Sequence, residues 1–228
     1  MQLTHETISR SETLPFHVFT FRAKDTSRMI PQHWHQSAEL IYCLSGRLNV
    51  WIKGILYQMQ PRDLLIINSN EIHATHSPVH NHVLCMQIPL PFLQQITDNQ
   101  YDSSFRFQLN TIGKTVLNRS ELQKQLDSID HILEQSANDI TLADRLRIQG
   151  IFYTFMGIIV AKHTAPIDMA PKSNAPEAVQ MMTKATSYIN DHFYERLTLQ
   201  QIASIFNYST SYFSRTFKLV FNMNFHDF

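Results

Sequence analysis

The chain has 228 residues, of which 43% are hydrophobic and 17% charged, proportions typical of a soluble globular protein. Its length favours two domains over one. Lysine plus arginine number 19, as do aspartate plus glutamate, so net charge gives no sign of a nucleic-acid partner. That absence excludes little, because DNA binding needs only a local basic patch. Two cysteines, Cys43 and Cys85, exclude a disulfide-based scaffold in a chain of this size.

The sequence predicts neither a secretion signal nor a membrane-spanning segment. No charged segment followed by an apolar one comes after Met1, and the longest apolar run is Ile151 to Ala161. That run is shorter than the roughly 20 residues that span a bilayer. The sequence therefore predicts a cytoplasmic protein with no membrane partner.

Short apolar runs separated by turn residues occupy residues 14–90. Each run is rich in β-branched or aromatic residues and ends at a breaker such as Gly46, Gly54 or Pro61. The runs follow one another too closely for crossover helices, so they predict an antiparallel barrel or sandwich. The predicted strands lie at 16–21, 40–44, 48–52, 55–57, 64–67 and 83–86.

Two helices are predicted after Pro91. The first, Ser120 to Gln135, carries one apolar stripe, whereas the second, from about Thr141 to His163, is apolar over more than half of its circumference. The second helix must bury more than one face, either inside its domain or against a partner subunit, and the pattern does not choose between them. Residues 163–177 contain three prolines and predict an extended linker.

Beyond the linker, apolar spacing from Val179 to Phe193 predicts an amphipathic helix. Thr198 and Gln201 have the spacing of a capping box, which predicts a helix over 199–206. Asn207 follows where the turn between two helices needs a positive φ, which asparagine tolerates. These signals together predict a helix-turn-helix.

Ser209 is predicted to cap a last helix, Thr210 to about Phe221. Its apolar face would pack on the protein, and its polar face, with a forked arginine donor, has the chemistry that reads base edges in a major groove. On spacing alone, a solvated surface is the commoner explanation of such a face. The apolar face holds Phe213, Phe217 and Val220, and the polar face holds Ser211, Ser214, Arg215 and Lys218.

Residues 188–218 resemble the DNA-binding domain of the AraC/XylS family of bacterial transcription regulators. The matching residues include Tyr188, Ile189, His192, Glu195, Leu197, Thr198, Ile202, Ala203, Tyr208, Ser209, Tyr212, Phe213 and Phe217. The resemblance implies a DNA-binding surface of Thr210, Ser211, Ser214, Arg215 and Lys218, with Lys218 near phosphate. The family's domain continues into a second helix-turn-helix, before which this chain ends. A truncated regulator that pairs with intact subunits is therefore one hypothesis.

Eight of the twelve histidines fall within the first 82 residues. The pattern His33-x-His35-x3-Glu39-x6-Gly46, with Pro61-x-Asp63 and His73 further on, matches the two cupin sequence motifs. His33, His35 and Glu39 share parity along an extended chain, so their side chains can converge on one interior point. With His73 they could bind Zn, Fe or Mn, contact an organic ligand, or form hydrogen bonds in the core.

Sensor barrels that this one resembles mostly use such a pocket for an organic ligand, which predicts no metal and no cofactor. The predicted ligand-binding residues are His33, His35, Glu39, Trp51 and His73. Trp51 could stack on a sugar ring, although plain packing is the commoner role of an aromatic residue. His76, His80 and His82 flank Pro78 in a polar loop and are predicted to be exposed unless they bind a metal.

The predicted fold class is α+β: an antiparallel cupin-like β-barrel (1–110), a helical dimerisation segment (111–163), a linker (164–177) and a partial all-α helix-turn-helix domain (178–228). The predicted function is a ligand-responsive, DNA-binding transcription regulator that forms a homodimer and is not an enzyme. The resemblance implies a sugar as effector and control of carbohydrate uptake or catabolism. A metal-binding cupin enzyme is the alternative; it would explain the histidines but not the helix-turn-helix.

Overall fold

The computed structural model describes residues 4–5, 14–136, 140–167, 181–182, 184–185, 188–189, 192, 197–221 and 224–225. The strands within these ranges are β1 (Thr4–His5), β2 (His17–Ala23), β3 (Met29–Trp34), β4 (Ala38–Ser45), β5 (Leu48–Ile52), β6 (Ile55–Met59), β7 (Leu64–Ile67), β8 (His73–His76), β9 (Asn81–Ile88), β10 (Phe105–Phe107) and β11 (Thr164–Pro166). The helices are α1 (Leu90–Ile96), α2 (Arg119–Gln135), α3 (Leu142–Lys162), α4 (Leu199–Ile205) and α5 (Thr210–Phe221).

Two sheets form the barrel. One has the strand order β1-β3-β8-β5-β6 and the other β2-β9-β4-β7. The pairs are antiparallel, apart from the short β1, which runs parallel to β3. Apolar side chains of both sheets pack together between them, among them Ile41 and Leu65 from one sheet and Val50 from the other. The antiparallel barrel and the α+β class are confirmed.

The central strands β4 and β9 are buried on both faces, which explains their nearly continuous apolar sequences. Along β4, Leu40 and Tyr42 pack on one side in the cluster that includes the helices, while Ile41 and Cys43 pack on the barrel side. Strand β9 is buried along its whole length. Helices α2 and α3 therefore cover the outer face of the four-stranded sheet.

Helices α2 and α3 lie within a residue or two of their predicted bounds. A capping box starts α3, in which the Thr141 hydroxyl accepts the Asp144 amide and the Asp144 carboxylate accepts the Thr141 amide. One stripe of α3, which includes Phe152 and Phe155, is fully buried. A second stripe is exposed and holds Leu142, Leu146, Tyr153 and Val160. No helix in the described ranges combines the length and apolarity needed to cross a membrane.

Helices α4 and α5 follow one another near their predicted bounds. Gln201 Oε1 accepts the Thr198 amide at 2.8 Å, and the Thr198 hydroxyl accepts the Gln201 amide at 3.2 Å. Asn207 adopts a φ of 59°. The Ser209 hydroxyl accepts the Tyr212 amide at 3.2 Å and caps α5.

Parts of two predictions lie outside the described residues. For the predicted helix over 179–193, residues 181–182, 184–185 and 188–189 are helical, and the rest are not described. For the predicted linker, 168–177 are not described, while Thr164–Pro166 pairs as a strand with Phe105–Phe107. Helix α1 and strand β10 were not among the predicted elements.

Candidate functional site

Four predicted side chains converge inside the barrel. The register of β3 and β8 places His33 opposite His73, with ring centroids 4.1 Å apart. His35 follows β3, and its Nε2 lies 3.0 Å from Glu39 Oε2 on β4. His73 Nε2 lies 3.6 Å from the same oxygen. All four residues are buried, so the convergence inferred from parity is confirmed.

The three imidazoles are held in one common way. Nδ1 of His33, His35 and His73 lies 3.0, 3.0 and 2.8 Å from the carbonyl oxygens of Pro31, Ser37 and Glu71, respectively. A carbonyl oxygen only accepts, so each Nδ1–H donates. A hydrogen bond to a carbonyl two residues away thus orients each ring, and Nε2 of each ring faces the cluster.

The Glu39 carboxylate has further partners on β9. The Cys85 thiol donates to Oε1 at 3.0 Å, and the Gln87 amide donates to Oε2 at 3.3 Å. Burial raises the pKa of Glu39, but the hydrogen bond from His35 and the electrostatic interaction with the neighbouring His73 outweigh it and hold that pKa well below its usual range. Burial also lowers the pKa of His73. Glu39 is therefore an ionised carboxylate inside the barrel.

Cys85 and Gln87 were missed by the sequence predictions. They have the same parity on β9 as each other, and the register places Gln87 opposite Glu39 and Cys85 opposite Ile41. The sequence does contain a signal for them, because Cys85 and Gln87 are two positions apart in an otherwise apolar run. The apolar residues of 83–86 predict a buried strand but do not show which residues face Glu39.

A cavity of about 100 Å³ opens beside the cluster. Its polar wall is formed by Arg28, His33, Glu39, Cys85 and Gln87, and its apolar wall includes Phe21 and Ile41. The Arg28 guanidinium lies 3.9 Å from the centre of the Phe21 ring. The cavity therefore offers a cation, the His33 imidazole and a carboxylate to a small polar molecule, whereas His35 and His73 do not line it.

Trp51 is not brought to this cavity. The register of β5 and β8 places Ile52 opposite His73 and Trp51 opposite Ala74, so Trp51 points away from His73. Its side chain is half-buried on the outer face of the sheet. The structure gives Trp51 no place among the cavity residues.

Contrary to the prediction from sequence, the three histidines around Pro78 are not all exposed. His80 is exposed and His76 is half-buried, but His82 is buried at 6% exposure. The predicted loop ends early, because β9 begins at Asn81. The prediction for His82 is therefore wrong: it has the parity of Leu84 and Met86 and points toward the helices.

The set His33, His35 and His73 could hold a metal ion, since their ligand atoms lie within 4.8 Å of one another. Imidazoles with a carboxylate suit Zn, Fe or Mn. The same groups also match the hydroxyls of an organic ligand, because Glu39 accepts hydrogen bonds and a neutral imidazole whose Nδ1–H donates can accept at Nε2. The geometry is compatible with both chemistries.

Helix α5 has a polar face and an apolar face, as the sequence predicts. Thr210, Ser211, Arg215 and Lys218 are exposed, and Ser214 is half-buried. On the opposite side Phe213 and Phe217 are fully buried. The side chain of Val220, predicted on the apolar face, is outside the described set. The polar face of α5 is thus exposed, with Arg215 Nε 3.3 Å from the Ser211 carbonyl oxygen.

A family model described as "AraC-like ligand binding domain" matches residues 15–154 of this chain. The chain belongs to the AraC-like ligand binding domain family. The matched range of this AraC-like domain contains the barrel, the whole histidine cluster, α2 and most of α3. The recognition helix α5 lies outside it.

Solved structures similar to this AraC-like chain include ToxT from Vibrio cholerae, with 11% identity over 93% of this chain and 97% of the other and a TM-score of 0.43. A cupin superfamily protein from Desulfitobacterium hafniense has 15% identity over 37% and 74%, with a TM-score of 0.32. Oxalate decarboxylase from Bacillus subtilis has 22% identity over 34% and 22%, with a TM-score of 0.31. A search of curated proteins gave no match.

Proposed function

We propose that this protein is a ligand-responsive, DNA-binding transcription regulator. A small-molecule effector enters the barrel cavity, and the helix-turn-helix binds DNA through α5. The observation that carries this proposal is on β3, where the interior His33 and the exterior Trp34 are consecutive residues. Successive side chains of a strand point to opposite faces, so one strand touches both the ligand site and the DNA-binding half.

Trp34 is only 1% exposed, and it lies in one apolar cluster with Met182, Ala203, Phe213 and Phe217 of the C-terminal helices. Ile72, which precedes His73, packs against the same cluster. Both histidine-bearing segments of the site therefore contact the helices on their outer side. A ligand that displaces His33 or His73 would also move Trp34 or Ile72, against which the C-terminal helices pack. The liganded and ligand-free states would then differ in this contact, as a ligand response requires.

We propose a polar effector of small size. A cavity of about 100 Å³ is smaller than the roughly 150 Å³ that accommodates benzene. A sugar ring would therefore have to widen it, by movement of partly exposed residues such as Arg28. Carbohydrates remain the first class to test, because the family resemblance implies them and their hydroxyls match Glu39 and the imidazoles.

We also propose that the protein acts as a homodimer through α3. Leu142, Leu146, Tyr153 and Val160 are 63%, 61%, 50% and 39% exposed, and their spacing puts them on one helix face about 27 Å long. A Cβ added at Gly150 or Gly157 would meet nothing within 4 Å, so the surface beside this stripe is open. A second copy of α3 is the occupant that matches the stripe along its whole length.

The test of effector binding is a thermal-shift measurement on the full chain with a panel of monosaccharides and glycosides. At least one sugar is expected to raise the melting temperature of the wild type but not of His35→Ala, which loses an interior donor. Gln87→Ala, which keeps the three imidazoles, is the second variant and should show a reduced shift. Equal shifts in the wild type and both variants would place the sugar elsewhere and overturn the cavity as the ligand site.

A metal-binding cupin enzyme is the second candidate. The observation that favours it is His73 Nε2, which is buried and has no hydrogen-bond partner in the described part of the chain. An ion held by the three imidazoles and Glu39 would satisfy this atom. One equivalent of a transition metal in protein purified without chelators, lost in His73→Ala, would support this candidate over an organic effector.

A further inference from the structure

A second cluster of potential metal ligands lies outside the barrel, between β9 and α2. His82 on β9 and Asp130 and Glu134 on α2 each offer one ligand atom, and these atoms lie within 4.8 Å of one another. Asp130 and Glu134 are four residues apart and therefore share one face of the helix. This face lies against the strand that carries His82, so two different elements contribute to one cluster.

Two atoms of this cluster, one on the buried His82 and one on the half-buried Asp130, lack a hydrogen-bond partner among the described residues. His82 Nε2 and Asp130 Oδ1 are buried and make no hydrogen bond within the described residues. They lie 3.2 Å apart, but without the alignment of a hydrogen bond. In a tetrahedral site with bonds of about 2.0–2.1 Å, neighbouring ligand atoms are about 3.3 Å apart. The separation is thus that of two ligands of one ion.

The third member, Glu134, is 46% exposed and forms an ion pair with Arg22 on β2. The Arg22 side chain is 63% exposed, so it can rotate into solvent without leaving a buried charge. Its guanidinium holds the Glu134 carboxylate beside the other two groups. A cation bound by all three would replace Arg22 at this carboxylate.

We propose that His82, Asp130 and Glu134 form a Zn²⁺ site that fixes helix α2 to strand β9, with water as the fourth ligand. One imidazole and two carboxylates are ligands that Zn²⁺ accepts in this geometry. Arg22 and the cation compete for the Glu134 carboxylate, so zinc binding breaks the ion pair between Arg22 and Glu134. Because α2 packs on α3, bound zinc stabilises the helical layer that carries the exposed apolar stripe.

The experiment is a calorimetric titration of the full chain with Zn²⁺, supported by visible absorption spectra with Co²⁺. The wild type should bind the ion, Glu134→Gln should bind at least tenfold more weakly, and Arg22→Gln should bind more tightly. Both substitutions change partly exposed side chains, so the fold should be retained, as checked by circular dichroism. His80→Ala, which removes an exposed imidazole two residues from His82, is the matched control and should bind like the wild type.

One further variant distinguishes zinc binding at this site from zinc binding by the barrel histidines. His73→Ala should retain the Zn²⁺ affinity that depends on Glu134 and Arg22, whether or not the barrel takes an ion of its own. Unchanged affinity in both Glu134→Gln and Arg22→Gln would overturn the proposal. So would loss of all zinc binding in His73→Ala, or no binding by the wild type at millimolar Zn²⁺.

Discussion

At the scale of single residues, the backbone geometry at Gly46 explains why the pattern that begins at His33 ends in a glycine. Its φ is 75°, and a Cβ added there would lie 2.7 Å from Asn81 Cα. Gly54 has a similar φ of 82°, but a Cβ there would meet nothing within 4 Å. Gly46 therefore faces both backbone strain and a clash with the start of β9, whereas Gly54 faces strain alone.

Gly46→Ala should accordingly lower the free energy of unfolding by about 3 kcal/mol, and Gly54→Ala by about 1 kcal/mol. Urea denaturation of the two variants and the wild type measures both values. Equal losses at the two positions would show that the close approach of Asn81 is relieved at no cost.

The ionised Glu39 makes a pH-dependent contribution to stability. Burial raises its pKa, but the hydrogen bond from His35 and the electrostatic interaction with His73 hold the pKa well below the usual value in the folded protein. A depressed carboxyl pKa adds stability that is complete above the unfolded pKa of about 4.3 and is lost as pH falls through the folded pKa.

Glu39→Gln should therefore destabilise the protein by about 3 kcal/mol at pH 7, because it leaves buried imidazoles without their carboxylate. The difference from the wild type should shrink below about pH 4.3, because the Glu39 carboxylate then takes up a proton in the unfolded chain while it stays ionised in the folded protein. Urea denaturation at pH 7 and at pH 3.5 tests this, and a difference that is the same at both values would refute it.

Parity along a strand accounts for most of what the sequence could say about the site. It placed His33, His35 and Glu39 together, and it would also have placed Trp51 on the opposite face, since Val50 and Ile52 have the other parity. The error at His82 arose from Pro78, which suggested a loop where β9 already begins. Cys85 and Gln87 could not be linked to Glu39 without the register of β4 and β9.

At the scale of elements, long periodic helices were predictable and short polar strands were not. Helices α2 and α3 have strong apolar periodicity, so their bounds follow from sequence. Strands β3 and β8 contain His33 and His73 but no long apolar run, because each is buried mainly near one end. The pairing of β3 with β8, and of β8 with β5, is set by tertiary contacts, which a local pattern does not contain.

The apolar stripe of α3 gives a prediction at this scale. Leu146→Lys introduces a charge into the middle of the proposed subunit contact and should convert a dimer into a monomer in sedimentation at tens of micromolar. Leu117→Lys is the matched control, since Leu117 is 66% exposed and lies outside α3. A wild-type protein that is monomeric at this concentration, or dimers in both variants, would remove the proposed role of α3.

At the scale of the whole molecule, the two halves were predictable separately and their contact was not. Composition and spacing separate the barrel from the helix-turn-helix, but nothing local to Trp34 or Ile72 indicates that they pack against residues beyond 180. That contact joins the strands that carry His33 and His73 to the C-terminal helices. The proposed response to a ligand depends on it.

The central claim is that this chain binds specific DNA through α5, and selection of random-sequence DNA by the purified chain tests it most directly. The wild type should enrich one motif. Arg215→Ala should relax the preference at one base pair at a cost of about 1–3 kcal/mol, whereas Lys218→Ala should weaken binding to all sequences alike. No enriched motif with the wild type, or the same motif and affinity with Arg215→Ala, would contradict the claim.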